Sequence, residues 1–317
     1  CVREIRKQAE GVENIYTIYV VDDDEKLVGL LSLKNLLTKN LRTPILEAYN
    51  PDFISVRTNT PAEEVSMLMD KYDLVVIPVI DSLGRLVGRV TFDDMVDVIR
   101  EENTEDVQKM GGVEALTEPY MATPFWQMIR KRVGWLVVLF IGEMLTATAM
   151  SFFEDQITRA VILAIFVPLI ISSGGNSGSQ ATSLIIRSLA LGEITVRDWW
   201  TIAKKEFQSG LVLGLILGII GFTRVAIWSN FVNDYGPHWM MIGITLGITL
   251  TFVVMWGSLC GSLLPLVLKR FGFDPAVSSA PFVATLVDVT GLIIYFSISI
   301  VLLKDLLSAH VVPGIIP

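Results

Sequence analysis

Cysteine and histidine are almost absent from this sequence. Its 317 residues include two cysteines, Cys1 and Cys260, and two histidines, His238 and His310. Cys260 lies in an apolar run, which is typical of a small packing residue, and the histidines lie in or near polar ends without partners at ligand spacing. We interpret both histidines as surface residues. The sequence therefore supports neither a disulfide framework nor a cysteine metal site.

Charged residues are unevenly distributed and scarce in the second half. Residues 1–124 contain 13 Lys and Arg against 23 Asp and Glu, whereas residues 125–317 contain 12 against 10. Such an excess of carboxylates repels phosphate, so no nucleic-acid partner is expected. The mean hydropathy is high for a soluble protein, and the apolar residues are concentrated in the second half. The composition predicts a membrane protein with an acidic soluble domain in front.

Five apolar segments of the second half are long enough to cross a bilayer. Glycines at four-residue spacing in the third and fourth segments favour close helix packing. Nine Lys and Arg lie on the side of the soluble half, against three on the other side. The positive-inside rule then places the soluble domain in the cytoplasm and the C-terminus outside. The predicted segments are residues 133–153, about 157–190, 210–228, 239–268 and 279–303.

The second segment contains a polar, glycine-rich run from Pro168 to Gln180. We expect this run to kink or unwind the helix. Irregular backbone at membrane depth persists only where protein or water satisfies its polar groups, so the run is a predicted pore lining that includes Gly175 and Asn176. A phosphate-binding loop is the rival interpretation, and it is disfavoured because no Gly-Lys-Ser/Thr follows.

Asp288 lies inside the last apolar segment, between Thr285 and Gly291. A carboxylate near the middle of a bilayer costs at least about 2.5 to 3.5 kcal/mol, so it is normally buried inside a bundle or beside a water-filled path. Two interpretations follow: a protonated or capped acid packed against a neighbouring helix, or a cation site. Glu143 and Arg224 are the remaining intramembrane charges, and we predict that they pair with each other.

An internal repeat organises the soluble half. The pattern of residues 20–35 recurs at residues 79–94 with a constant offset of 59. Each copy predicts two short strands around a turn, followed by an amphipathic helix. A helix also precedes the strands of the second copy, and the offset places its counterpart near the start of the chain. We therefore expect the first repeat to be incomplete and further sequence to lie upstream.

Four acidic residues follow the second repeat at helical spacing. Asp94, Asp97, Glu101 and Glu105 occupy positions i, i+3, i+7 and i+11, so they share one helix face. Like charges at this spacing destabilise a helix, and only Arg100 and Lys109 are available to offset them. The run is either a solvated helix face or a surface that Mg²⁺ or Ca²⁺ neutralises.

Residues 1–100 resemble a tandem CBS domain. In that family a Thr/Ser-x-x-Asp pattern often contacts the ribose of an adenine nucleotide, which implies that Thr91 and Asp94 bind a regulator such as ATP. The first copy has Ser32 and Asn35 at these positions. The other interpretation is that the module supports dimerisation and senses something else. The resemblance is carried by residues 72–74, 77–81, 84–88 and 91–94.

The order of CBS pair, connecting segment and five membrane helices, with the motifs at residues 168–180 and 281–291, resembles the MgtE family of Mg²⁺ channels. The resemblance covers essentially the whole chain. It implies a homodimer whose ion path is lined by the second and fifth membrane helices of each subunit. It also implies that Asp288 from both subunits selects a hydrated Mg²⁺ ion, with a backbone oxygen from Ala284 and with Asn176 near the pore.

The same resemblance implies regulation. The connecting helix would act as a plug, and Mg²⁺ bound between acidic residues of the CBS and plug regions would hold the closed state. Asp274, near the cytoplasmic end of the last helix, would attract ions. Members of the family usually carry an acidic helical domain before the CBS pair, and we expect that domain to lie almost entirely outside this chain. The implied residues are Asp288, Ala284, Asp274, Asp94, Asp97, Glu101 and Glu105 as metal ligands, and Asn176, Gly175, Thr285 and Gly291 as pore lining.

We therefore predict an α-helical polytopic membrane protein with an N-terminal α/β tandem CBS domain (residues 1–100), a connecting plug helix (101–129) and a five-helix pore domain (130–317). The predicted function is Mg²⁺-selective uptake through the plasma membrane, without enzyme activity. One alternative is a CBS-regulated transporter for Mn²⁺, Co²⁺ or Ni²⁺. Another is an intramembrane aspartyl hydrolase, in which a dimer pairs two Asp288 carboxylates. Against the hydrolase, no second catalytic acid and no hydrolase motif are evident in the sequence.

Overall fold

The computed structural model describes residue 5 and residues 17–40, 43–231 and 237–304. It divides the chain into two compact units, Cys1–Thr104 and Glu105–Pro317. Cys1, His310 and the helix expected before the first repeat lie outside the described residues. His238 is exposed, as predicted, and Cys260 is a half-buried free thiol.

The first unit is an α/β module with two small sheets. Strands β1 and β2 form an antiparallel pair, and in the second sheet β3 pairs parallel with β4 and β4 pairs antiparallel with β5. Buried Val65, Met69 and Met95 pack their helices against Ile77 of the central strand. The elements are β1 (Thr17–Val21), β2 (Leu27–Ser32), α1 (Leu33–Thr38), β3 (Val56–Arg57), α2 (Ala62–Lys71), β4 (Val76–Ile80), β5 (Leu86–Thr91) and α3 (Phe92–Met110).

The predicted repeat is confirmed at the level of single residues. Adding 59 to the bounds of β1 and β2 gives the bounds of β4 and β5, and adding it to the start of α1 gives the start of α3. Oδ1 of Asp22 accepts the amide of Lys26 at 2.8 Å, and Oδ1 of Asp81 accepts the amide of Arg85 at 2.9 Å. Because an aspartate side chain can close such a turn locally, each hairpin has the same turn for the same reason.

The two repeats are joined through these turns. The amide of Leu27 donates to the carbonyl of Gly84 at 3.1 Å, and the amide of Leu86 donates to the carbonyl of Glu25 at 3.1 Å. Glu25 and Gly84 correspond at the repeat offset and have φ angles of 63° and 82°, in the left-handed region. The hairpins are therefore related by an approximate two-fold symmetry.

The second unit contains five helices that are long and apolar enough to cross a membrane among the described residues. The predicted number of helices of membrane-spanning length is thus confirmed. Two of the helices begin well before their apolar segments, because hydropathy marks the part suited to lipid and polar residues extend a helix beyond it. The elements are α4 (Phe125–Phe152), the short α5 (Glu154–Arg159), α6 (Ile162–Ala190), α7 (Trp199–Trp228), α8 (Trp239–Arg270) and α9 (Ala280–Leu302).

The expected unwinding of residues 168–180 is wrong. Helix α6 is continuous through this run and contains Pro168. None of its glycines has a positive φ, so the backbone does not use their conformational freedom. They allow close packing instead: a Cβ atom at Gly174 would lie 2.6 Å from Cγ1 of Val253 and 2.8 Å from Cγ1 of Val287.

Small residues also join the other membrane helices, as predicted from their spacing. A Cβ atom on Gly214 of α7 would lie 2.6 Å from the carbonyl oxygen of Thr251 on α8, and one on Gly218 would lie 2.6 Å from that of Gly247. The bundle core lies among α6, α8 and α9, with Ile170 and Phe296 fully buried. Helix α4 has one buried residue, Thr146, and packs mainly against α9.

The connecting segment at residues 101–129 is helical at its two ends. Helix α3 continues to Met110, and α4 begins at Phe125. Between them the chain passes through Gly112, whose φ of 71° ends the helix, and reaches Pro124 at the N-cap of α4. The plug helix implied by the resemblance therefore corresponds to the last part of α3.

Candidate ion pathway

Asp288 lies half-buried on α9, beside the glycine-rich part of α6. A Cβ atom at Gly175 would lie 3.4 Å from Oδ1 of Asp288 and 3.3 Å from the Cβ of Ala284. The missing side chain of Gly175 thus leaves room for the carboxylate between two helix backbones. The structure therefore brings together three of the predicted site residues, Asp288, Ala284 and Gly175.

Glu143 of α4 approaches the same carboxylate from the other side. The carboxyl group of Glu143 lies close enough to that of Asp288 for the two to interact electrostatically. Oγ1 of Thr285 lies 3.5 Å from Oε1 of Glu143 and 3.1 Å from the carbonyl oxygen of Pro281. Asp288 therefore has a second acid next to it, which the sequence analysis did not place there.

The predicted ion pair between Glu143 and Arg224 is wrong. The guanidinium carbon of Arg224 lies 4.0 Å from the ring centroid of Trp228, one turn further along α7. Helix α7 packs against α8, whereas α4 packs against α9, so the two charged residues lie on different sides of the bundle. Hydropathy identified both charges but contained no information about which helices are neighbours.

In the middle of α6, the side that other helices leave uncovered is polar. Ser172, Asn176 and Gln180 recur every four residues, and all three are exposed. We call these three residues the polar face of α6. The opposite side is used for packing, since the Ser177 and Ser258 hydroxyls lie 2.7 Å apart across α6 and α8. A polar face at membrane depth is not matched to lipid, so it requires water or protein against it.

Two further predicted residues have limited freedom to line a pore. Gly291 is buried against α8, where an added Cβ atom would lie 3.1 Å from Cγ1 of Val253, so the structure makes it a packing position. Ala284 lies inside α9, and its carbonyl oxygen already accepts a helical hydrogen bond. One lone pair of that oxygen remains for a water molecule or an ion.

Asp274 lies before α9 and is neutralised by a lysine that the sequence analysis did not assign to the site. Its Oδ2 accepts a hydrogen bond from Nζ of Lys109 at 2.6 Å, and its Oδ1 accepts the amide of Ala276 at 2.9 Å. Lys109 also forms an ion pair with Glu105. Burial lowers the pKa of Lys109, but the hydrogen bonds to Asp274 and Glu105 outweigh it and raise the pKa above its usual value. Asp274 and Glu105 are thus bridged by an internal cation.

The other predicted acidic residues of α3, Asp94, Asp97 and Glu101, are exposed. Asp94 accepts a 2.7 Å hydrogen bond from the Thr91 hydroxyl, so the two predicted nucleotide-binding residues are in contact. Asp97 pairs with Arg100 at 3.7 Å, and Glu101 is exposed on the same helix. Within the described ranges, no three His, Cys, Asp or Glu side chains are grouped to hold a metal ion. One copy of the described chain therefore does not provide a complete carboxylate cage.

These features define a class: a polytopic membrane protein with an N-terminal CBS module and an acid-lined face in its helical bundle. Residues 167–298 match the family model for MgtE, described as a divalent cation transporter, and residues 46–101 match the CBS domain model. Most of the membrane unit thus matches the MgtE family.

Curated relatives agree with this assignment. The chain is 41% identical over 303 residues to the magnesium transporter MgtE of Thermus thermophilus, covering 96% of this chain and 65% of that protein. It is 34% identical to the MgtE of Enterococcus faecalis, covering 93% and 63%, and 28% identical to that of Bacillus subtilis, covering 96% and 65%. The chain thus spans less than two thirds of each of these relatives. All three are named as transporters and not as enzymes.

Solved structures resemble the soluble part. The cytosolic domain of the Mg²⁺ channel MgtE in complex with ATP is 49% identical, with a TM-score of 0.30 over 31% of this chain and 39% of that chain. The soluble part of a magnesium transporter is 38% identical, with a TM-score of 0.31 over 32% and 40%.

Proposed function

We propose that this protein transports Mg²⁺ selectively across the plasma membrane, down the electrochemical gradient of the ion. The observation that carries the proposal is Asp288, an intramembrane carboxylate beside Gly175 of α6, in a chain that matches the MgtE family. An ionisable residue at membrane depth marks an ion path more often than it marks a packing position. The relatives named as magnesium transporters support the same assignment.

The groups around Asp288 suit a hydrated divalent ion. Carboxylate, amide and hydroxyl oxygens are available from Asp288, Asn176 and Ser172. Mg²⁺ dehydrates reluctantly, and proteins usually hold it through one or two carboxylates and several retained waters. We therefore propose that Asp288 contacts Mg²⁺ through its water shell, with Ala284 and Thr285 supplying further acceptors.

We propose that the working form is a homodimer in the bilayer. The polar face of α6 has no cover within the described chain. A second copy related by two-fold symmetry would place two such faces and two Asp288 residues around one water-filled path. This arrangement shields the polar face from lipid and doubles the number of carboxylates at that level.

We further propose that intracellular Mg²⁺ closes the path. By the positive-inside rule the CBS module lies in the cytoplasm and the C-terminus outside. The exposed acidic residues of α3, Asp94, Asp97 and Glu101, would be neutralised by Mg²⁺ between apposed surfaces, which favours the closed state. Thr91 and Asp94, which contact each other, would together bind an adenine nucleotide as a second regulator.

Other divalent ions are the second candidate, because the family model describes a divalent cation transporter. Mn²⁺, Co²⁺ and Ni²⁺ are also bound by oxygen ligands, so selectivity among these ions has to be measured. The hydrolase is not proposed. Glu143 does supply a second acid beside Asp288, but the curated relatives of the chain are transporters.

The test is Mg²⁺ uptake into proteoliposomes, measured with an internal fluorescent indicator at several internal Mg²⁺ concentrations. Asp288→Ala should abolish selective uptake, whereas Asp155→Ala, which removes an exposed carboxylate of α5, should not. Internal Mg²⁺ should suppress uptake by the unmodified protein. Uptake that survives Asp288→Ala would contradict the proposed pathway, and uptake of Mn²⁺ or Co²⁺ in preference to Mg²⁺ would favour the second candidate.

A further inference from the structure

We propose that Glu143 is a selectivity-determining residue of the ion pathway, which favours divalent over monovalent cations by adding a second carboxylate beside Asp288. This inference rests on the proposed function and assigns a role to a residue of the first membrane helix. The membrane helices that the family resemblance assigns to the path are α6 and α9, whereas Glu143 belongs to α4.

Local packing brings Glu143 to the level of Asp288. A Cβ atom on Gly142 would lie 2.5 Å from Cγ2 of Thr285, so the absence of a side chain lets α4 approach α9 closely at this point. Glu143 is the next residue, and its Oε1 lies 3.5 Å from Oγ1 of Thr285. Thr285 and Asp288 are three residues apart on α9, so they share one helix face. Gly175 of α6 and Glu143 of α4 therefore both lie near this part of α9.

The surroundings of Glu143 argue against two ordinary arrangements of an intramembrane acid, contact with lipid and an ion pair with Arg224. Its side chain is exposed in the single chain, between apolar Ile141 and Met144, which are also exposed. Lipid contact for such an acid costs at least about 2.5 kcal/mol on the insertion scales. The intramembrane base that might have neutralised it, Arg224, lies over Trp228 on a different helix. A water-filled path along α4, α6 and α9 would solvate Glu143, so that neither lipid contact nor an ion pair with Arg224 is required.

The electrostatic consequence depends on ion charge. Glu143 contacts Thr285, three residues before Asp288 on the same helix, so the two carboxylates are near neighbours and repel each other. The repulsion is larger at the low effective dielectric of a membrane protein than in water. One divalent cation compensates both charges, whereas one monovalent cation leaves a net negative charge. Glu143 should therefore stabilise the divalent occupant more than the monovalent one. In a dimer the same level of the path would present four carboxylates.

The experiment compares Glu143→Gln with the unmodified protein in proteoliposomes. We expect the half-saturating Mg²⁺ concentration to rise about tenfold, the lower end of the effect of groups that support a metal ligand. We also expect the permeability ratio of Mg²⁺ to K⁺, measured from reversal potentials, to fall. Glu154→Gln is the matched control, because it makes the same change at an exposed position of α5. Asp288→Ala serves as the reference for a pathway that has lost its main carboxylate.

Each outcome separates this inference from the proposed function. No Mg²⁺ uptake by the unmodified protein would refute the proposed function itself. Normal uptake that Asp288→Ala abolishes and Glu143→Gln leaves unchanged would overturn only the role of Glu143. Glu143→Asp keeps the charge in a side chain one methylene shorter, so it should retain most of the divalent preference. Equal loss of preference in the Asp and Gln variants would show that packing rather than charge matters, and it would also overturn the inference.

Discussion

Two adjacent glycines of α6 should respond to alanine in different ways. At Gly174 an added methyl group would lie 2.6 Å from a methyl carbon of Val253 and 2.8 Å from one of Val287. Both valines are completely buried, and they belong to different helices, α8 and α9. At Gly175 the same methyl group would lie 3.3 Å from the Cβ of Ala284 and 3.4 Å from Oδ1 of Asp288.

The magnitude follows from these distances. Ordinary contacts begin near 3.4 Å, so Gly174→Ala requires two valines to retreat by about 0.8 and 0.6 Å. Because β-branched side chains have one preferred rotamer, the valines cannot simply rotate away, and α8 and α9 must move away from α6. Overpacking of this kind costs about 1 to 3 kcal/mol, and the helix preference of alanine over glycine returns up to about 1 kcal/mol. We expect a net loss of about 1 to 2 kcal/mol, a factor of about 5 to 30 in the folded-to-unfolded ratio.

Gly175→Ala should instead leave stability within about 0.5 kcal/mol, because the helix preference offsets a shift of a few tenths of an ångström. Its methyl group would nevertheless lie beside the Asp288 carboxylate, so Mg²⁺ uptake should fall. Stability is measured by equilibrium unfolding in mixed detergent micelles followed by circular dichroism, and uptake by the proteoliposome assay. A Gly174→Ala protein as stable as the unmodified one, or an equal loss of stability in both variants, would refute the packing argument.

Two further predictions concern charges outside the membrane helices. Lys109→Met removes the cation that bridges Asp274 and Glu105, so closure should require up to about fivefold more internal Mg²⁺ in the uptake assay, since partly exposed ion pairs contribute up to about 1 kcal/mol. Lys109→Arg should behave like the unmodified protein, and an unchanged inhibitory concentration in Lys109→Met would exclude a role in gating. Hydrogen bonds from the Arg85 amide and side chain hold the pKa of Asp81 below 3.8, so the stabilisation of this turn is present above that pH and is lost as the pH falls through the lower pKa. Hydrogen exchange should show protection of the Arg85 amide decreasing in that acidic range and low at all pH values in Asp81→Ala; protection that is insensitive to acid would contradict this.

The hairpins of the soluble unit were predictable because the interactions that form them join residues close in sequence. An aspartate that closes a hairpin turn, as Asp22 and Asp81 do, acts within four residues of its own position. The offset of 59 residues therefore relates the observed strand boundaries of the two hairpins. The number of membrane helices was equally accessible, since it depends on segment length and composition.

The membrane unit was harder because its specificity lies between helices. In the sequence, a glycine that bends a helix and a glycine that gives room to a valine of a neighbouring helix look the same. Only the packing of the neighbouring helices shows that Gly174 has the second role. For the same reason Glu143 was assigned to Arg224 when its neighbours are Thr285 and Asp288. Lys109 was noted as a counter-charge within its own helix, but its contact with Asp274 spans 165 residues of sequence.

The continuity of α6 has a consequence for how ion preference can change. In potassium-type filters an unwound backbone supplies rings of carbonyl oxygens, so altering the preference requires rebuilding a loop. Here the backbone carbonyls of residues 165–186 accept helical hydrogen bonds, and the groups left along the proposed path are side chains such as Asp288, Asn176 and Glu143. The ion preference then depends on individual side chains, each specified by its own codon and held by a continuous helix. Single substitutions can retune it in evolution or in the laboratory without refolding the helices that carry it.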